Sequence, residues 1–215
     1  MMIVDATRDL TSAYKPNLAF FEEWGSKGFY WLESLISHIG DEHIIIADAK
    51  RGDIGNTGLH YANAFFNHFR CDAITVSPYM GKESIEPFIT DSSKGTFVLC
   101  RTSNESSTFI QEDIFSKVIS VCEQLNDKQN IGLVVGATNV EALKDVRNLS
   151  DLPFLIPGIG AQGGSLENVL KINGNHLDTT LINISRGIIF AGNKDHDSIR
   201  SKTNDYLSQM RGFNG

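Results

Sequence analysis

Cysteine is scarce in this 215-residue chain, long apolar runs are missing, and basic residues are not in excess. Cys71, Cys100 and Cys122 form an odd set with no C-x-x-C spacing, which excludes a disulfide framework and a cysteine zinc site. Free thiols suit a reducing cytoplasm, the expected location. No apolar run approaches the ~20 residues that span a bilayer. Charges already appear between Met1 and Asp9, unlike a signal peptide, so a soluble intracellular protein is expected. The formal charge is −7, with lysine and arginine scattered. That argues against a nucleic-acid or membrane-surface partner, because both reward a basic patch. A phosphate remains possible, since a local cationic site outweighs the global field within a Debye length of ~8 Å.

What is present is enough for one core: 41% of the residues are hydrophobic, and the length suits a single domain over residues 1–215. Short β-branched runs alternate with helix-like stretches. Strands are expected at Ser12 to Pro16, His43 to Ala49, Ala73 to Ser77, Thr96 to Arg101, Ile131 to Gly136, Phe154 to Gly158 and Leu181 to Ser185. Amphipathic candidates between them include Phe29 to His38, Gly58 to Phe69, Phe115 to Leu125 and Asn139 to Leu149, each long enough for a right-handed crossover. Runs such as IIIADA and GLVVGA are apolar on both faces, as strands buried between two layers must be. An open doubly wound sheet and a closed barrel satisfy this equally. Chemistry spread over many strand ends favours the (β/α)8 TIM barrel, whose active sites gather at the carboxyl ends of the strands. Seven strands are one short of eight. The chain opens with a helix-like segment, MIVDATRDLTSA, so the first strand is expected upstream of Met1 and the domain is read as N-terminally incomplete.

The sharpest feature is IIIADAKRGDIGNT, where an apolar strand runs into Asp48, Lys50, Asp53 and Thr57. Side chains two apart on a strand point the same way, so Asp48 and Lys50 should project together, with Asp53 beyond on the loop. Neighbouring carboxylates favour a charged lysine, which suits a proton donor better than a Schiff-base nucleophile. A purely structural ion-pair network is the competing reading. Lys15, in AYKPN, would bring a second lysine to a neighbouring strand end and complete an alternating array. Pro157 to Gly164, PGIGAQGG, reads as a strand ending in small residues whose N–H groups can approach an anion, although turn formation alone would also explain it. Arg186 follows the next strand and offers a planar fork to phosphate oxygens. The six histidines show no HxH or HExxH pattern and are read as surface or hydrogen-bonded residues. Tyr61, Phe65, Phe66 and Phe69 have helical spacing, which reads as packing or an interface rather than a base-stacking platform.

The ordered motifs AYKPNLAFFE, DAKRGDIGNT, LCRTSN, GLVVGAT, PGIGAQGG and INISRGI resemble orotidine 5′-monophosphate decarboxylases, in the branch with KPN and DAKRGDI. The resemblance runs from about Tyr14 to Phe190. It implies a (β/α)8 barrel homodimer that converts orotidine 5′-monophosphate to uridine 5′-monophosphate without a cofactor or metal. Under it, Lys50 protonates C6 of the pyrimidine, Asp48 faces the departing carboxylate, and Lys15 orients the array and reaches the ribose. Asp53, with Ile54 and Thr57, would serve the partner's site. Thr102 and Ser103 match the position that bonds the pyrimidine edge, Ser103 being the better match, and Pro157 lines that pocket. Gln162, Gly163 and Arg186 match the phosphate grip. The chain departs from the pattern in lacking the first strand with its ribose-binding aspartate, and in a short Asn104 to Glu112 segment. The alternatives are a magnesium-dependent sugar-phosphate decarboxylase or aldolase of the same suprafamily, a catalytically inactive truncated barrel, and a Schiff-base aldolase using Lys50.

Overall fold

The computed structural model of the protein describes residues Met1–Phe213. In chain order its elements are α1 (Met2–Thr7), β1 (Ala13–Tyr14), α2 (Ala19–Glu22), α3 (Gly25–Ile39), β2 (Ile44–Arg51), α4 (Gly55–Asn63), β3 (Ala73–Val76), β4 (Gly95–Arg101), α5 (Thr108–Leu125), β5 (Ile131–Val135), α6 (Val140–Leu149), β6 (Phe154–Ile156), α7 (Leu166–Asn173), β7 (Thr180–Ile182), α8 (Arg186–Ile189) and α9 (His196–Arg211). They fall into two compact units. One comprises Ser12–Leu99 with Ser120–Gly132; the other comprises Met1–Thr11, Cys100–Ile119 and the chain from Leu133 onward.

In the first unit β1 pairs with β2, β2 with β3 and β3 with β4, all parallel. Ile45, Ile46, Ala47, Ile74, Val76 and Val98 are buried, as parallel strands covered on both faces require. Leu32 and Ile39 of α3 are buried too, on the inner stripe of an amphipathic helix. Gly28 permits a close approach there: a Cβ on it would sit 1.7 Å from the carbonyl oxygen of Phe21, so no larger residue fits. Beyond α4 the helix loosens into one π turn, Ala64–His68, which seats Phe65 in the interior.

In the second unit β5 pairs with β6 and β6 with β7, again parallel. Every residue of β6 is buried, and Leu143 and Val146 of α6 with Val169 of α7 complete the apolar layer. Two of these helices start on side-chain caps: Asn139 accepts from the Ala142 N–H at 3.0 Å and Ser165 from that of Asn168 at 3.3 Å. Arg101, at the end of β4, is buried and pairs with Glu112 of α5 at 2.7 Å.

Every expected strand is present, with moved ends. β1 shrinks to two residues because Lys15, Pro16 and Asn17 leave the ladder to lie along Asp48. β2 instead runs two residues past Ala49. The opening helix-like segment divides into α1, a short turn over Arg8–Leu10, and the first residue of β1. Sequence periodicity did not reveal α9, whose buried residues are only Ile199 and Thr203. Its footing is a cap, Asp195 accepting from the Ser198 N–H at 2.8 Å, and a two-pronged ion pair between Arg200 and Asp9, each contact 2.7 Å.

That pair gives a pH signature. The Arg200 hydrogen bonds hold the Asp9 carboxyl down at about 2, below its ordinary 3.8. A carboxylate depressed by folding stabilises the fold fully above its unfolded value and loses that contribution as pH falls through the folded one. The difference in melting temperature between wild type and Asp9→Asn is therefore expected to be constant above pH ~5, to shrink as pH falls below about 4, and to be lost only below about 2. Thermal melts across that range check it. A gap undiminished at pH 2 contradicts the assignment.

Candidate active site

The charged cluster grows from an irregularity in β2. Ala47 is in register with Ile74 and Arg51 with Val76, so four residues of β2 run beside two of β3. Such a bulge re-aims side chains. Here Lys50 adopts φ +48°, the left-handed region that side-chain-bearing residues rarely occupy. The Lys50 N–H, out of the ladder, donates to the Thr75 hydroxyl at 2.9 Å, and that hydroxyl donates to Asp48 Oδ1 at 3.2 Å. Asp48 and Lys50 do converge, but through a bulged turn rather than the plain extended strand expected from their spacing.

Asp48 is the hub. It is 8% exposed, and its two carboxylate oxygens are divided between the two lysines. Oδ2 takes Lys15 Nζ, and Oδ1 takes Lys50 Nζ at 2.5 Å. Burial works against the Asp48 carboxylate, but Lys15 and then Lys50 outweigh it and hold the group below its ordinary value. For Lys15, burial is the larger influence and pushes the ammonium down, with Asp48 offsetting part of it. Lys50 differs in exposure: about half of its side chain meets solvent, against 11% for Lys15. The result is a fixed carboxylate carrying one deep ammonium and one that can reach outward.

Asp53 does not join this cluster within one chain. Its Oδ1 accepts from the Ile54 N–H at 2.8 Å, just ahead of α4, and it makes no ion pair among the described residues. Ile54 and Thr57 are exposed on the same segment.

The second group lies in the other unit. Ser103 donates to Gln162 Oε1 at 2.7 Å, and Thr138 donates to the Ser103 carbonyl at 2.9 Å. Gly136 lets Ser103 in: a Cβ there would lie 2.7 Å from the Ser103 amide nitrogen. The loop after β6 curls on itself, with the Gly163 N–H donating to Gly160 at 2.8 Å and the Gly164 N–H to Gly158 at 3.0 Å. Gly158, Gly160 and Gly163 all have positive φ, so the loop is open only to glycine-like residues at those points. The Pro157 carbonyl accepts from the Ala137 N–H at 2.9 Å. Arg186 is exposed at the start of α8. Thr102 turns elsewhere, to Asn104 and Gln111 at 2.6 and 2.8 Å.

A family model for orotidine 5′-phosphate decarboxylase / HUMPS matches residues 1–198. The chain belongs to this family. An orotidine 5′-phosphate decarboxylase of Flavobacterium johnsoniae is 45% identical, over 97% of this chain and 77% of its own length. Among solved structures, the orotidine monophosphate decarboxylase of Leishmania donovani is 37% identical with a TM-score of 0.88, covering 97% of this chain and 84% of that one. The UMP synthase of the same organism is 38% identical with a TM-score of 0.87, and this chain spans about half of it, 48%. The fold class is accordingly the family's (β/α)8 barrel, and the described residues include seven parallel strands. Among the described residues no group of three His, Cys, Asp or Glu side chains is placed to hold a metal ion, and no helix is long and apolar enough to cross a membrane.

Sequence reasoning missed Thr75 and Thr138. Thr75 had a signal: it is the one polar side chain within the apolar run of β3, and it is 2% exposed. A hydroxyl buried there needs a partner, and Asp48 supplies one. Thr138, in a loop, gave none.

Proposed function

We propose that this chain removes carbon dioxide from orotidine 5′-monophosphate to give uridine 5′-monophosphate, with Lys50 delivering the proton to C6. The observation that carries the reading is the Asp48 carboxylate held between the Lys15 and Lys50 ammonium groups. When the bond from C6 to the carboxyl carbon breaks, its electron pair stays on C6 in an orbital the ring cannot delocalise. A cation fixed beside that carbon stabilises charge that develops only in the transition state. Lys50 then transfers a proton from Nζ to C6, carbon dioxide departs, and solvent reprotonates the amine.

Asp48 faces the departing carboxylate and keeps the ammonium groups in place; Lys15 orients Asp48 and reaches the ribose. Ser103 bonds the pyrimidine edge and links to Gln162, Pro157 lines that pocket, and Gln162, Gly163 and Arg186 hold the phosphate. No cofactor or metal takes part, and the enzyme works in the cytoplasm. In this reading the protein is a homodimer in which Asp53, with Ile54 and Thr57, completes the neighbour's site. Its support is that Asp53 has no cationic partner among the described residues of its own chain and sits beside an exposed Ile54.

Carbon dioxide should be released from carboxyl-labelled orotidine 5′-monophosphate at the same rate with and without a chelator, one per uridine monophosphate formed. A rate abolished by chelation would favour the magnesium-dependent relatives instead. The shared site makes a second prediction. Lys50→Ala and Asp53→Ala proteins, each inactive alone, should recover about a quarter of the wild-type sites when subunits exchange at random, because half the dimers are mixed and each mixed dimer has one intact site. No recovery despite verified exchange would rule the sharing out.

A further inference from the structure

The strained backbone at Lys50 needs something to hold it, and the residue that does so lies next in the chain. A left-handed lysine is strained and persists only where the surroundings over-determine it. The peptide between Ala49 and Lys50 is fixed at both ends by side chains. Its N–H meets the Thr75 hydroxyl at 2.9 Å, and its carbonyl, that of Ala49, accepts from Arg51 Nη1 at 2.9 Å. Arg51 thus folds back past Lys50 to grip the plane that precedes it. Its own carbonyl accepts from the Ser77 N–H at 2.7 Å, so the chain is pinned on the far side of Lys50 as well.

The guanidinium is itself heavily restrained. Nη2 pairs with Glu22 of α2, and the group lies over the rings of Tyr61 and Phe65, 5.4 and 5.5 Å from their centroids. Phe65 belongs to the π turn after α4, so that irregular turn supplies part of the flat seat. Arg51 Nε is buried and without a hydrogen-bond partner among the described residues, a cost that the other contacts must outweigh. Few side chains can do this. Only a planar, delocalised cation can fork to a carbonyl and a carboxylate while stacking on aromatic faces.

We propose that Arg51 is a positioning residue: seated by Glu22, Tyr61 and Phe65, it fixes the Ala49–Lys50 peptide and thereby aims the Lys50 ammonium. The inference rests on the reading of Lys50 as proton donor. A proton donor displaced by about 1 Å can lose on the order of a hundredfold in rate, while substrate binding, done largely elsewhere, changes little.

Wild type, Lys50→Ala, Arg51→Met, Arg51→Lys and Glu22→Gln are compared for kcat, KM and melting temperature with orotidine 5′-monophosphate. Arg51→Met, which keeps an unbranched apolar stem but removes the guanidinium, is expected to lower kcat by about ten- to a hundredfold with KM within about twofold. Arg51→Lys should restore the melting temperature but not kcat, since one ammonium cannot span both acceptors. The double variant Glu22→Gln with Arg51→Met should be no slower than Arg51→Met alone. If Arg51→Met is unfolded at assay temperature, Glu22→Gln decides by the same division between kcat and KM. An unchanged kcat in folded Arg51→Met, with wild type active and Lys50→Ala inactive, would falsify the positioning role and leave the proton donor standing. An inactive wild type, or an active Lys50→Ala protein, removes both.

Discussion

Lys50→Ala is expected to lower kcat by about four orders of magnitude or more without unfolding the protein. Two losses multiply: a positioned general acid contributes about 10²–10⁴, and one preorganised charge partner of the transition state about 10²–10³. The fold should tolerate the change because the side chain is half-exposed and Asp48 keeps Lys15 and the Thr75 hydroxyl. Lys50→Gly sharpens the point. Glycine occupies φ +48° without a Cβ penalty, so this variant should be as inactive yet at least as stable as wild type. Melting curves and turnover measured on one preparation check both halves. Retention of more than about one per cent of kcat in either variant would show that the proton comes from elsewhere.

Arg186→Ala should show the opposite division. Removing one partner of a charge-assisted pair costs about 2–5 kcal/mol, which raises KM by roughly thirtyfold to several thousandfold. Because binding energy collected at the phosphate also supports the transition state, kcat should fall, but by less than in Lys50→Ala. A second measurement isolates the phosphate. The affinity for uridine, which has none, should be the same in wild type and Arg186→Ala, while that for uridine monophosphate drops by the full factor. Equal loss for both ligands would place Arg186 outside the phosphate grip.

How much of this was readable in advance differs from residue to residue. Asp48 and Lys50 stood out because ionisable groups rarely end an apolar strand, and the pairing of Asp48 with Lys15 followed from two strand ends lying side by side. The glycines from Gly158 to Gly164 announced a tight loop, and three of them have positive φ. The backbone that delivers Lys50 was not legible. Its bulge exists because β2 and β3 fall out of step, a property of two strands together that neither sequence contains. Arg51 was hidden for a similar reason: its value lies in Glu22 on one helix and in Tyr61 and Phe65 on another, both remote from it in sequence. The last helix escaped because its inward stripe is short, and only the Asp195 cap gave a local signal.

The most direct test of the central claim is the ultraviolet absorbance of orotidine 5′-monophosphate after adding the purified chain, with a chelator present, beside the same assay with Lys50→Ala. The account predicts loss of the substrate's absorbance to the uridine monophosphate end point with the wild type and no change with the variant. An unchanged spectrum with the wild type, despite tight binding of a uridine-monophosphate analogue, would contradict it and identify the chain as a nucleotide-binding barrel without turnover.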